Sequence, residues 1–128
     1  FGESVQLLGC EAPQPVAAEE TLTLDCYWQA TGEIPPNRYV AFAHLIAAGS
    51  GQLIAQDDHI LGRERYPLNA WQPGEVIRET YALPVPADAA AGDYRIALGI
   101  YTWPDLTRLV VPGNADNVAV VAPVRIKQ

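Results

Sequence analysis

Thr21-Leu22-Thr23-Leu24-Asp25-Cys26-Tyr27-Trp28-Gln29 is the stretch whose reading decides the fold. Leu22, Leu24, Cys26 and Trp28 fall on one side of an extended chain, and Thr21, Thr23, Asp25, Tyr27 and Gln29 on the other. A period of two held over this length predicts a strand with one face in a core and one toward water. Trp28 belongs to the apolar set, so its indole is expected inside.

Downstream, Ile34-Pro35-Pro36-Asn37 breaks the pattern, because adjacent prolines cannot donate to a ladder. Residues 39–46 resume it, with Val40, Phe42, His44 and Ile46 on one face. Ala48-Gly49-Ser50-Gly51 is a turn signal, and residues 52–56 return as the second arm of a hairpin. Residues 57–69 read as the longest irregular stretch, a surface loop of the kind that carries binding residues. After Trp71-Gln72-Pro73-Gly74, where an indole commonly covers one end of a sandwich, residues 75–83 alternate again. Ile77, Glu79, Tyr81 and Leu83 form the better core set. Glu79 is out of place among them, and a one-residue bulge returning it to solvent is the expected explanation.

Residues 94–101 are a strand with Tyr94, Ile96, Leu98 and Ile100 on one side, and 109–111 a short one. Residues 118–126 close the chain, with Pro123 marking an edge or a bulge. Upstream, 5–9 is a first strand followed by a proline-punctuated link. No segment has a helical period. The sum is an all-β, two-sheet immunoglobulin- or fibronectin-like sandwich of seven to eight mainly antiparallel strands, with residues 1–128 as a single domain.

Composition narrows the function classes. With 15 acidic and 8 basic residues the formal net charge is −7, and Lys127 is the one lysine. The arginines are scattered singly, so nothing offsets the repulsion of a phosphate backbone and nucleic acid is excluded as a partner. No apolar run reaches the roughly 20 residues that span a bilayer as a helix, so direct membrane insertion of this domain is not expected. The chain opens Phe1-Gly2-Glu3-Ser4 and contains no methionine, as an excised domain or a processed chain would.

Cys10 and Cys26 each fall in or beside a predicted strand near the start of the chain. They admit one disulfide; two buried free thiols acting as small hydrophobes are the alternative. Metal binding lacks support, since there is no CxxC spacing and adjacent Asp57 and Asp58 point apart in an extended chain. His44, mid-strand, reads as a half-buried histidine hydrogen-bonded to a neighbour. The GxSxG elbow and the phosphate-cradling glycine loop are absent, so no catalytic residue and no cofactor is assigned.

The aromatic residues offer the best handle for a binding surface. Trp103 lies in a predicted turn between strands, and Tyr66 in the long loop. If the two loops meet at one rim, Trp103 and Tyr66 with Asp105 and Arg63 form a candidate sugar site, because aromatic rings stack on sugars while polar neighbours hydrogen-bond them.

Several motifs also resemble a family. Leu24-Asp25-Cys26-Tyr27-Trp28, Val40-Ala41-Phe42-Ala43-His44-Leu45, Gln56-Asp57-Asp58, Trp71-Gln72-Pro73-Gly74-Glu75, Ala91-Gly92-Asp93-Tyr94-Arg95 and Gly99-Ile100-Tyr101 are similar to stretches of a β-sandwich accessory domain. That domain sits at the extracytoplasmic end of bacterial membrane glycosyltransferases of the dolichyl-phosphate-mannose mannosyltransferase type. The resemblance implies a non-catalytic accessory or packing module, joined to a membrane-bound parent protein outside the cytoplasm. A carbohydrate-binding module for a cell-envelope glycan is the alternative. It implies no catalytic residue, since the transferase chemistry belongs to the parent's membrane portion.

Overall fold

The computed structural model describes residues 1–12, 15–62 and 66–127, without the side chains at 122 and 123. Eight strands occur in chain order: β1 (Val5–Glu11), β2 (Val16–Ala17), β3 (Thr21–Ala30), β4 (Arg38–Ala47), β5 (Leu53–Ile60), β6 (Val76–Pro84), β7 (Gly92–Trp103) and β8 (Ala119–Lys127). One 3-10 turn, Leu68–Ala70, is the only helical element among the described residues. The strands form two sheets, β1-β3-β6 and β2-β8-β7-β4-β5, antiparallel throughout except for the short parallel pair β2–β8.

The period-two stretch is β3, and it behaves as its pattern dictates: Leu22, Cys26 and Trp28 are fully buried between the sheets. From β6, Tyr81 and Leu83 join them; Tyr39, Ala41, Ala43 and Leu45 of β4 and Ile96, Leu98 and Ile100 of β7 face them from the other sheet. Trp71 closes one end, with its indole Nε1 donating to the Tyr66 carbonyl at 2.9 Å. On the far side, a shift of register between Tyr94↔Val124 and Ile96↔Val121 absorbs the extra residues around Pro123 in β8. Cys10 and Cys26 stand directly opposite each other on β1 and β3 and are joined by a disulfide.

Two expectations are corrected. Residues 57–60 are not loop: they complete β5, pairing Ala43↔Asp57 through Val40↔Ile60 with β4. Glu79 is not returned to solvent by a bulge, because β6 pairs with β3 in unbroken register and places Glu79 inward at 3 % exposure. The two corrections share a cause. His59, brought inward by β5, sets its Nε2 2.5 Å from Glu79 Oε1, and the Gly62 N–H donates to Glu79 Oε2 at 3.1 Å. A buried carboxylate is tolerated where donors replace its water, and here they do. Asp57 completes the group, with one oxygen 3.2 Å from His59 Nδ1 and the other accepting from the Ala82 N–H at 2.8 Å.

Candidate functional site

Strand alternation sends every second residue of β4 away from the core, and those residues help to line a cleft on the outer face of the five-stranded sheet. Phe42 and His44 of β4, Asp58 of β5, Tyr101 of β7 and Arg108 and Leu106 of the following segment border one cleft of about 280 Å³. The segment after β7 turns back at Thr102, which accepts from Leu106 N and donates its own N–H to Thr107 O. It then runs beside β7, with Arg108 paired opposite Tyr101 and Leu109 N–H bonded to Ile100 O. Cross-strand partners share a face, so Arg108 stands on the same side as Tyr101 and Phe42.

The floor of the cleft depends on a glycine. Phe42 pairs with Gly99, and a Cβ at Gly99 would lie 2.1 Å from Phe42 Cζ. The ring therefore lies flat across the sheet in space that any side chain at 99 would occupy. With Ala97, Val118, Ile46 and Tyr101 packed around it and the Arg108 guanidinium over it, this outward-facing phenylalanine is only 1 % exposed. Tyr101 stacks beside it, with centroids 6.0 Å apart, and the Arg108 guanidinium sits 4.8 Å from the Phe42 centroid, within cation–π range. His44 is tilted against the same ring at 4.6 Å.

The polar groups around this floor are only partly used. Tyr101 donates its hydroxyl to Asp58 Oδ2 at 3.1 Å, which leaves Oδ1 without a protein donor among the described residues. Arg108 spends Nη1 on the Asp116 carbonyl at 2.9 Å and keeps its other donors. His44, expected to be bonded to a neighbour, makes no hydrogen bond among the described residues. Burial lowers its pKa below the usual 6.5; Asp58 opposes that shift and Arg108 reinforces it. Tyr101 is pushed up, first by burial and then by the Asp58 carboxylate. The cleft thus presents an acceptor, several donors and an imidazole whose pKa burial lowers, above the buried Phe42 ring.

The residues singled out from sequence are placed as follows. Trp103 is 50 % exposed and lies two residues beyond Tyr101, hence on the same outer face. Tyr66 belongs to another surface: its hydroxyl donates to Glu75 Oε1 and its carbonyl takes the Trp71 indole, at the end of the three-stranded sheet. The phenol holds Glu75 below the usual carboxylate range, and Glu75 in turn raises Tyr66. Asp105 accepts from the Thr102 hydroxyl at 2.7 Å, a bond inside the turn that also holds its carboxyl low. Arg63 lies outside the described residues. Among the described residues no group of three or more His, Cys, Asp and Glu could hold a metal ion.

Phe42, His44, Asp58 and Arg108 were not assembled from sequence. Alternation puts Phe42 and His44 on one face, but nothing local shows that this face is the outer one or that Asp58 and Arg108 reach it.

Among the described residues, other hollows offer no comparable cluster of aromatic and charged side chains. The one between residues 33–36 and 69–73 is larger, about 760 Å³, but the Trp71 beneath it is 4 % exposed with its N–H already bonded.

No helix of the described residues is long and apolar enough to cross a membrane. No protein-family model matches the chain, and no curated protein does. Solved structures do share the fold. The C-terminal domain of Wzt superposes on all of this chain and 77 % of its own length, with TM-score 0.62 and 14 % identity. The CARDB domain of a Pyrococcus furiosus protein, solved in complex with di-metal ions, matches 99 % of this chain and 92 % of its own at TM-score 0.53 and 16 % identity. A β-glucosidase from Listeria innocua in complex with glucose matches 97 % of this chain at TM-score 0.58 and 15 % identity. This chain spans only 16 % of that enzyme. At these identities the shared property is the β-sandwich itself, a fold that also occurs as one segment of a much larger carbohydrate-active chain.

Proposed function

We propose that this chain is a non-catalytic carbohydrate-binding module whose site is the outer face of β4, β5 and β7. The observation that carries the reading is the cleft over Phe42, where Asp58 Oδ1, His44 and the remaining Arg108 donors converge without protein partners. Sugars are bound by an apolar ring face with a few placed donors and acceptors beside it; here the half-buried Tyr101 ring is the face within reach, with Phe42 buried beneath the cleft. Trp103, further along the same face, extends the aromatic surface; Tyr66, Asp105 and Arg63 are not needed by it. The fold shared with the Wzt domain and with a segment of a glucose-bound β-glucosidase supports the reading, though fold alone does not assign function.

In this reading the module serves a larger cell-envelope protein outside the cytoplasm, which the resemblance to glycosyltransferase accessory domains suggested. The Cys10–Cys26 disulfide supports that location, since such bonds persist in oxidising compartments.

A glycan array probed with the protein and with its Tyr101→Ala, Trp103→Ala and Tyr66→Ala variants tests the proposal. Binding should be lost on Tyr101→Ala, weakened on Trp103→Ala and unchanged on Tyr66→Ala. Binding indifferent to the first two substitutions rejects this face. A blank array favours a packing role against the parent protein instead.

A further inference from the structure

The structure assigns this cleft to a single neutral pyranose unit, bound with adjacent hydroxyls shared between Asp58 and Arg108. The inference rests on the carbohydrate-binding reading and adds the charge and size of the ligand.

Charge is the first argument. Asp58 and Arg108 border the same cleft, and both are close enough for their charges to act on His44. One carboxylate and one guanidinium cancel, and the imidazole between them is uncharged near neutral pH. A ligand carboxylate or phosphate drawn to Arg108 would sit against Asp58, where like charges repel. The chain's net charge of −7 adds a repulsive field to any polyanion. A diol meets no such conflict: one hydroxyl donates to Asp58 Oδ1 while its neighbour accepts from Arg108, and each of these charge-assisted bonds is stronger than a neutral one.

Size is the second. At about 280 Å³ the cleft lies just below the roughly 300–1,000 Å³ typical of sites for drug-sized ligands. Leu106 and Arg108, on the segment that turns back beside β7, bound it on one side. A cleft of that size takes one ring, and any further ring of a longer glycan would lie outside it on the open face.

The geometry also explains why Arg108 is held as it is. Its anchorage to the Asp116 carbonyl and the Phe42 ring fixes the guanidinium plane, so little side-chain freedom is lost when a ligand binds.

The test is titration of the isotopically labelled protein with methyl glucoside, methyl mannoside, methyl galactoside, glucuronate and glucose 6-phosphate, followed by amide NMR at 50 and 500 mM NaCl. At least one neutral glycoside should shift the amides of Phe42, His44, Gly99 and Tyr101. Its affinity should change less than threefold between the two salt concentrations, while the acidic sugars bind at least tenfold more weakly. The variants D58N and R108Q, shown folded by the same spectra, should each weaken the neutral glycoside tenfold or more. Tighter binding of glucuronate or glucose 6-phosphate at the same amides, lost at high salt, would overturn the neutral-ligand inference and leave the carbohydrate-binding reading standing. Glycoside shifts confined to residues 33–36 and 69–73, or no shifts with any sugar, would overturn both.

Discussion

His59 Nε2 lies 2.5 Å from Glu79 Oε1, and this bond ties β5, an edge strand of the five-stranded sheet, to β6, an edge strand of the three-stranded one. Both side chains are nearly enclosed, at 10 % and 3 % exposure, so the carboxylate has exchanged water for protein donors.

Replacing His59 by Phe keeps the ring volume against Tyr81 but strips Glu79 of one of its donors. Removing one partner of a buried polar pair costs about 3 kcal/mol, far more than a surface pair is worth. Urea unfolding of His59→Phe should show that loss, and Glu79→Gln a smaller one, since the amide oxygen still accepts from Gly62. Equal stability of His59→Phe and the parent would show that the bond contributes nothing net.

The Phe42–Gly99 contact is steric. Gly99→Ala puts a methyl where the ring tip now lies, so Phe42 must swing out and the floor of the cleft is lost. Overpacking of this kind costs about 1–3 kcal/mol. Combining it with Phe42→Leu should recover part of the stability but not sugar binding. A double-mutant cycle measures the coupling, and additive losses would contradict the contact.

The Cys10–Cys26 disulfide closes a loop with a sequence separation of 16. Cross-linking a loop of that size lowers the entropy of the unfolded chain by an amount worth about 3 kcal/mol. Cys10→Ser/Cys26→Ser should unfold at correspondingly lower urea, and dithiothreitol should leave the double variant's midpoint unmoved while lowering that of the parent.

His44 gives the stability a pH dependence whose sign follows from its burial. Its folded pKa lies below the usual 6.5, so between those two values the unfolded chain binds more protons than the folded one. Stability therefore rises with pH across that window and is lost as the solution is acidified below about 6.5. His44→Asn removes the titration. The stability difference between parent and variant should shift against the parent from pH 7.5 to pH 5, and a constant difference would contradict the lowered pKa.

Much of this architecture is legible before any coordinates. The alternation at Leu22, Leu24, Cys26 and Trp28 names the inner face of β3, and the Pro35-Pro36 and Ala48–Gly51 signals bracket β4 correctly. What escapes is pairing between distant segments. Glu79 looks misplaced because its partner, His59, sits in a stretch whose charged residues resemble loop. Asp57 and Asp58 follow one another in sequence yet serve opposite faces of β5, one toward Ala82 and one toward Tyr101. The cleft is hidden for the same reason: a flat phenylalanine requires a glycine across the ladder, and register between β4 and β7 is a tertiary property. Trp103 stands out in sequence as an aromatic beside a turn signal, and the structure makes it the exposed last residue of β7. Tyr101, two residues earlier, borders the cleft yet looks from sequence like ordinary strand.

One feature of the β5–β6 seam reaches beyond the stability of a single molecule. An unpaired strand margin is a template on which another chain can dock, and repeated docking leads to aggregates. Here the Asp57 carboxylate occupies the Ala82 amide on the margin of β6, so a foreign strand finds that donor already taken and a negative charge beside it. Asp57 thereby helps to keep neighbouring copies apart when the protein is concentrated.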